Sequence, residues 1–302
     1  MVLSSRNPVS DPLAEVRRWD VVADRYVTPC GEGQMVWRSW GEGRPLLLLH
    51  GGAGSWRHWI RNLDALSPGR RILAPDLPGL GESAAPPQPW SLDQISAIVA
   101  QGLDTVIGSR QACDVAGFSF GSLVAGALAS HLKARIGALM LIGASGLGVS
   151  RGNIVLEKVR SREGEAREAA HRVNLSRLMV ADPSLIDAQA IAIQAWNSDH
   201  ARIRSVGLST STVLLDRLPD VSARVCAVWG SRDAVAIDNL ELRVQALRSV
   251  QPAADVHIVP EAGHWIAYEA ADQFNAIAGR FLAKSDHSST SAISATLDEV
   301  KT

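Results

Sequence analysis

The residues Gly117-Phe118-Ser119-Phe120-Gly121 decide the fold of this chain. A short β-prone run, Cys113 to Ala116, leads into them, and an Ala- and Leu-rich helical run, Ser122 to His131, leads out. A serine between two glycines at such a junction marks a sharp strand-to-helix turn that exposes its side chain. The requirement is steric. A serine held in a strained conformation leaves no room for side chains two residues before and after it, so both positions are glycine. The following helix aims its N-terminus, and its partial positive charge, at the serine. The pentapeptide alone arises by chance roughly once in ten chains of this length. Its place between a strand and a helix gives it weight.

The same alternation extends outward. Pro45-Leu46-Leu47-Leu48-Leu49-His50 and Arg71-Ile72-Leu73-Ala74-Pro75 are short continuous apolar runs, suited to strands buried on both faces. Ile136 to Ile142, Arg224 to Trp229 and Asp255 to Val259 repeat the pattern. Helical periodicity separates them at Arg57 to Leu66, at Leu92 to Ile107 with Ser91 as N-cap, and at Ala271 to Ala283. Nearer the start, Arg25 to Thr28 and Met35 to Trp40 flank Cys30-Gly31-Glu32-Gly33 and read as a hairpin. Alternating strands and helices predict an α/β fold with a mostly parallel, doubly wound sheet. The rhythm breaks between residues 149 and 217, which are rich in Arg, Glu and Ala. The predicted organisation is a core from 1–148 and 218–284, a helical cap inserted at 149–217, and a Ser/Thr-rich flexible tail at 285–302.

Two further loops complete a constellation. Trp229-Gly230-Ser231-Arg232-Asp233 sets an acid just past one strand, and Ala262-Gly263-His264-Trp265 sets a histidine just past the last. In a parallel sheet these loops gather at the carboxyl ends of the strands, where Ser119 also lies. A neutral serine is a weak nucleophile and needs an adjacent base. His264 would take its proton and return it to the leaving group, and Asp233 would orient the imidazole. Asp216 and Asp238 are nearby acids, but neither follows the Trp229-Gly230 strand end. The loop His50-Gly51-Gly52-Ala53-Gly54-Ser55-Trp56 offers backbone N–H donors for an oxyanion. Gly52 and Phe120 are the predicted donors. His50 and Asp76 read as braces of their turns. His58 and Trp59 either face the pocket or pack. The expected pocket is apolar, lined by Gly51, Phe118, Phe120 and Trp265.

With its Ser119, Asp233, His264 order, the chain resembles α/β-hydrolase fold proteins with an inserted cap over residues 23 to 283. Within them it resembles the serine-dependent hydrolases that cleave C–C bonds of meta-ring-fission products. The carrying residues are His50-Gly51-Gly52, Leu141-Ile142-Gly143-Ala144-Ser145-Gly146-Leu147-Gly148, and Gly263-His264-Trp265 followed by Glu269. The resemblance implies that Trp265 lines the substrate site. It also implies a cap arginine for the substrate's acidic end. Gln194 stands at that position, and Arg177 and Arg202 are the candidates to replace it. That departure brings esters, lactones and thioesters into competition with dienoic acids.

The expectation is therefore a cofactor-independent serine hydrolase acting on a carboxylic ester or a C–C bond of a small organic acid or ketone. A lyase, synthase or perhydrolase using the same triad, and a ligand receptor on the same fold, are the alternatives. An Asp-nucleophile enzyme is excluded by Ser119 at the turn. Lys and Arg total 30 against 31 Asp and Glu, for a net charge of −1. No basic excess exists for a nucleic-acid backbone. Hydrophobic residues make up 46% of the chain and charged residues 20%, enough for a sizeable core. Cys30, Cys113 and Cys226 are too few and scattered for a disulfide framework or zinc cluster. No metal spacing stands out. No apolar run matches a signal peptide or membrane span, so the expected location is cytoplasmic and the expected partner a small-molecule substrate. A homodimer is the commonest state for an enzyme of this size, although no patch argues for one. The nine tryptophans are expected mostly in the core.

Overall fold

The computed structural model describes residues 11–205 and 207–298, with side chains to Lys284. Its centre is an eight-stranded sheet in the order β1-β2-β4-β3-β5-β6-β7-β8. The strands are β1 (Asp24–Cys30), β2 (Gly33–Trp40), β3 (Arg44–Leu49), β4 (Arg70–Pro75), β5 (Cys113–Phe118), β6 (Ile136–Ile142), β7 (Arg224–Gly230) and β8 (Asp255–Val259). β2 pairs antiparallel with both β1 and β4, and the other pairings are parallel. This is the expected mostly parallel, doubly wound sheet, with the hairpin at one edge.

The apolar runs are continuous because each strand feeds two cores. Successive side chains of a strand point to opposite faces. Leu47 and Leu49 of β3 enter one hydrophobic cluster, while Leu46 and Leu48 enter the other. Leu139 and Leu141 of β6 separate from Ala138, Met140 and Ile142 in the same way. On the first face lie α3 (Leu92–Ile107), α4 (Phe120–Leu132) and α7 (Leu240–Val250). On the second lie α1 (Ala14–Val21), α2 (Leu63–Leu66), α8 (Ile266–Glu269) and α9 (Ala271–Asp298). Burying each leucine fully is worth about 1.5–3 kcal/mol, so these strands are held by both layers at once.

Local signals explain the element ends. Ser91 caps α3 through a capping box, accepting from Gln94 N while Gln94 Oε1 accepts from Ser91 N. The expected single helix over Arg57 to Leu66 is instead a 3-10 turn, Trp56–Trp59, followed by the one-turn α2. The break lets the consecutive Trp56, Arg57, His58 and Trp59 all bury, which no single helix face allows. Between β6 and β7 the described residues form no strand; α5 (Gly164–Leu178) and α6 (Ala188–Asp199) are the long helices there. The backbone of α9 continues to Asp298, past Ser285 where the sequence predicts a tail, and residues 299–302 lie outside the described residues. Among the described residues no helix is long and apolar enough to cross a membrane.

Candidate active site

The turn after β5 has the predicted strain. Ser119 sits at φ 51°, in a region L-residues rarely adopt, at a cost of about 1–3 kcal/mol. A Cβ on Gly117 would overlap the Gly121 carbonyl, and one on Gly121 would overlap the carbonyls of Leu49 and His50. Both glycines are thus fixed by backbone packed against backbone. Ser119 N donates to Ile142 O at 2.8 Å, and the Ser122 hydroxyl donates to Ser119 O at 2.6 Å. Ser119 itself is half-buried, while its neighbours are sealed in the sheet.

The loops after β7 and β8 converge on it. Ser119 Oγ lies 2.9 Å from His264 Nε2. His264 Nδ1 lies 2.9 Å from both Asp233 carboxylate oxygens. A proton on Nδ1 satisfies the carboxylate and leaves Nε2 free to accept from the hydroxyl. Val235 N donates to Asp233 Oδ1 at 2.8 Å, fixing the acid. Asp216 and Asp238 do not touch His264; Asp216 accepts from Thr212 Oγ1 at 2.7 Å. Gly143, at φ 56°, closes the triangle: a Cβ there would stand 2.9 Å from His264 Cε1.

The glycine loop after β3 is held by side chains that the sequence marks as braces. His50 Nε2 accepts from Leu77 N at 2.9 Å, and its Nδ1 donates to Gly51 O at 2.8 Å. Asp76 accepts from Trp56 N and Glu82 N, each at 2.9 Å. His58 is buried behind the site, its Nδ1 accepting from Gly51 N at 3.3 Å. Burial holds the His58 imidazole well below its usual pKa, with the neighbouring His50 and His264 adding to the effect. His50 is lowered by the same desolvation. Neither Gly52 N nor Phe120 N donates to another protein group among the described residues. Both residues line the space in front of Ser119.

That space is a cavity of about 790 Å³ lined by Ser119, His264, Gly51, Phe118 and Phe120, with walls from Arg151, residues 156–161, Ser198, Ala201, residues 203–205 and Ser209. It differs from the predicted pocket in two ways. Trp265 is not among its lining; the ring is fully buried, stacked on Tyr268 at 4.1 Å, with Nε1 donating to His58 O at 2.9 Å. Trp265 N also donates to Met179 O at 2.7 Å, which pulls the residue inward. The lining is also more polar than expected, carrying Arg151, Lys158, Arg160 and Arg204 against Glu157, together with several serines. Gln194, Arg177 and Arg202 are not part of it. Arg177 bonds Val155 O and Glu157, and Arg202 bonds the carbonyls of Gly81 and Ser83.

A second, more open groove of about 610 Å³ is lined in part by Pro260 to Ala262 and Tyr268 to Gln273, and none of Ser119, Asp233 and His264 lines it. Among the described residues no cluster of His, Cys, Asp or Glu has the arrangement of a metal site. The cysteines are free and buried, and desolvation raises the Cys113 and Cys226 thiols to about 12. Of the tryptophans, Trp37, Trp56, Trp59, Trp229 and Trp265 are fully buried, and none lines the cavity.

A carboxylate whose role the sequence reading missed ties the histidine loop to the segment between β6 and β7. The Glu269 carboxylate accepts from Gly263 N at 2.7 Å, Ala181 N at 3.0 Å and Asp182 N at 2.8 Å. The only available signal was the acid itself, six residues after Gly263 on a short helix.

Comparisons with known proteins give the chain relatives. A model of the alpha/beta hydrolase family matches residues 46–277. A dihydrolipoyllysine-residue acetyltransferase component of an acetoin cleaving system from Pseudomonas putida is 32% identical, over 80% of this chain and 64% of that protein. The chain therefore spans just under two thirds of that relative's length. A 2-hydroxy-6-oxo-6-phenylhexa-2,4-dienoate hydrolase from Burkholderia cepacia is 28% identical, over 80% of this chain and 89% of that one. Among solved structures, a meta-cleavage product hydrolase from Pseudomonas fluorescens IP01 superposes with a TM-score of 0.69 at 20% identity, covering 86% of this chain and 97% of that one.

Proposed function

Since the chain belongs to the alpha/beta hydrolase family, we propose that it is a serine hydrolase whose nucleophile is Ser119, whose base is His264 and whose orienting acid is Asp233. The observation carrying this reading is the continuous contact from Ser119 Oγ through the His264 ring to Asp233, at 2.9 Å on each side. Ser119 Oγ attacks a substrate carbonyl carbon as His264 Nε2 takes the hydroxyl proton. The carbonyl electron pair moves onto oxygen, which the Gly52 and Phe120 N–H groups receive. Collapse of that adduct breaks the bond to the leaving group, which takes the proton from His264. Water, deprotonated by His264, then releases the acyl group and restores Ser119. Asp233 stays ionised throughout and stabilises the imidazolium.

The same steps serve a carboxylic ester, whose leaving group is an alkoxide, and a C–C bond whose leaving carbon is stabilised as a carbanion. Residues 149–217 act as the cap over the cavity. We assign the substrate to small organic acids, because Arg151, Lys158, Arg160 and Arg204 outnumber Glu157 in the lining. This cation set replaces the single cap arginine whose place Gln194 holds. The naming of the Burkholderia cepacia relative supports the C–C reading.

The test is a panel of p-nitrophenyl esters, lactones, thioesters and ring-fission dienoates, run with wild type and Ser119→Ala. Turnover that Ser119→Ala abolishes is expected. Turnover surviving in Ser119→Ala would remove Ser119 from the mechanism. A panel in which neutral substrates outpace acid-bearing ones would overturn the assignment to organic acids.

A further inference from the structure

Ser205 comes from the segment between β6 and β7 and lines the same cavity as Ser119, Gly52 and Phe120. Its hydroxyl stands beside the loop that offers the oxyanion donors. A Cβ on Gly52 would lie 3.1 Å from Ser205 Oγ and 3.6 Å from Phe120 Cβ. A single point in front of the glycine loop is thus shared by Gly52, Phe120 and a side-chain hydroxyl. Ser205 Oγ has no hydrogen-bond partner among the described residues. Ser198, elsewhere in the cavity wall, instead spends its hydroxyl on Gln194 O at 2.8 Å.

Neighbouring contacts fix where Ser205 stands. Arg202 N donates to Gly79 O at 2.9 Å, and the Arg202 guanidinium donates to Gly81 O at 2.8 Å. Ile203 is buried, and a Cβ on Gly79 would stand 2.6 Å from its Cγ2. The chain just before Ser205 is therefore tied to the turn that follows β4. Ser205 follows that anchorage at the glycine loop, half-buried and open to the cavity.

A serine hydroxyl turns its proton toward whatever acceptor is at hand. The reaction delivers one. As Ser119 attacks, the substrate's carbonyl oxygen gains a full negative charge in front of Gly52 N and Phe120 N. A hydrogen bond to a charged oxygen is roughly twice as strong as one to a neutral carbonyl. A contact that strengthens as charge develops lowers the barrier rather than merely tightening binding. We propose that Ser205 is a third oxyanion donor, its hydroxyl donating to the alkoxide that Gly52 N and Phe120 N receive. The inference rests on the reading of Ser119 as the nucleophile. The proton stays on Ser205 throughout; the hydrogen bond tightens as the adduct forms and slackens as it collapses. The segment over the cavity then supplies part of the catalytic machinery as well as its wall.

The experiment compares Ser205→Ala and Ser205→Thr with wild type on an ester that the wild type turns over. Ser205→Ala should lose on the order of a hundredfold in kcat with KM little changed, the signature of a contact made only in the transition state. Ser205→Thr keeps a hydroxyl and should recover most of that loss. A trifluoromethyl ketone matched to the substrate forms a like alkoxide on Ser119, so its inhibition constant should rise in Ser205→Ala by the factor lost from kcat/KM. A folded Ser205→Ala with the kcat of wild type overturns the inference. So does a loss that falls on KM alone while the ketone binds as in wild type, which would leave Ser205 a wall of the cavity. Labelling with a fluorophosphonate separates the two failures: a wild type that does not react at Ser119 sinks the serine-hydrolase reading itself.

Discussion

Asn197, near the end of α6, accepts a 2.6 Å hydrogen bond from the hydroxyl of Ser55 in the glycine loop. Both side chains are fully buried. Beside them the Arg57 guanidinium lies 3.4 Å over the Trp196 ring. The segment between β6 and β7 is thus seated directly on the loop that carries Gly52.

Removing one partner of that bond strands the other in a dry environment, at about 1–3 kcal/mol. Removing both with groups of similar shape strands neither side chain, leaving only the cap that Ser55 Oγ gives Arg57 N lost, as it already is in Ser55→Ala. Ser55→Ala and Asn197→Leu should therefore each destabilise the protein, while the double variant loses clearly less than their sum. Urea unfolding of the four proteins measures this. Additivity within about 0.5 kcal/mol would show that the two residues are not energetically coupled.

The glycines divide into fixed and free positions. Gly121→Ala places a methyl group into the Leu49 and His50 carbonyls, neither of which is a flexible side-chain end. It should lower stability by several kcal/mol, on the scale of core overpacking or more, and abolish turnover. Gly279 in α9 is exposed and meets nothing within 4 Å. Gly279→Ala should raise stability by up to about 1 kcal/mol, the difference in helix propensity. Thermal melts of both variants test this. A neutral Gly121→Ala would mean that the turn relaxes freely.

That contrast also explains what was legible in the sequence. The turn at Ser119 is dictated by residues within four positions of each other, so its glycines announce it. The strands were legible because burial on both faces writes an unbroken apolar run, as in Leu46 to Leu49. The placement of Trp265 was not legible, because a residue adjacent to a site residue can face either way; contacts with Met179, His58 and Tyr268 decide it. Three of the cavity's cations come from residues 151–160 and the fourth, Arg204, from residues 201–205, stretches that have almost no regular structure and so carry no periodicity to read. Arg243 of α7 looks in sequence like any arginine on the solvated side of a helix, and only packing shows it sealed inside.

The buried histidines set the last expectation, on acid stability. His50 and His58 are held neutral in the folded protein, their pKa values lowered chiefly by burial. In the unfolded chain each titrates near 6.5. Below about pH 6.5 the unfolded state therefore binds protons that the folded state refuses, so stability is fully present above that pH and is lost as pH falls below it. For one such histidine the loss approaches about 1.4 kcal/mol one unit below. Unfolding free energies from urea melts at pH 7.5 and 5.5 should show the decline in wild type. His58→Phe removes one such group and should decline less steeply, even though losing the bond from Gly51 N lowers its stability at both pH values. An equal slope in the two proteins would mean that His58 gains its proton in the fold as readily as in the open chain.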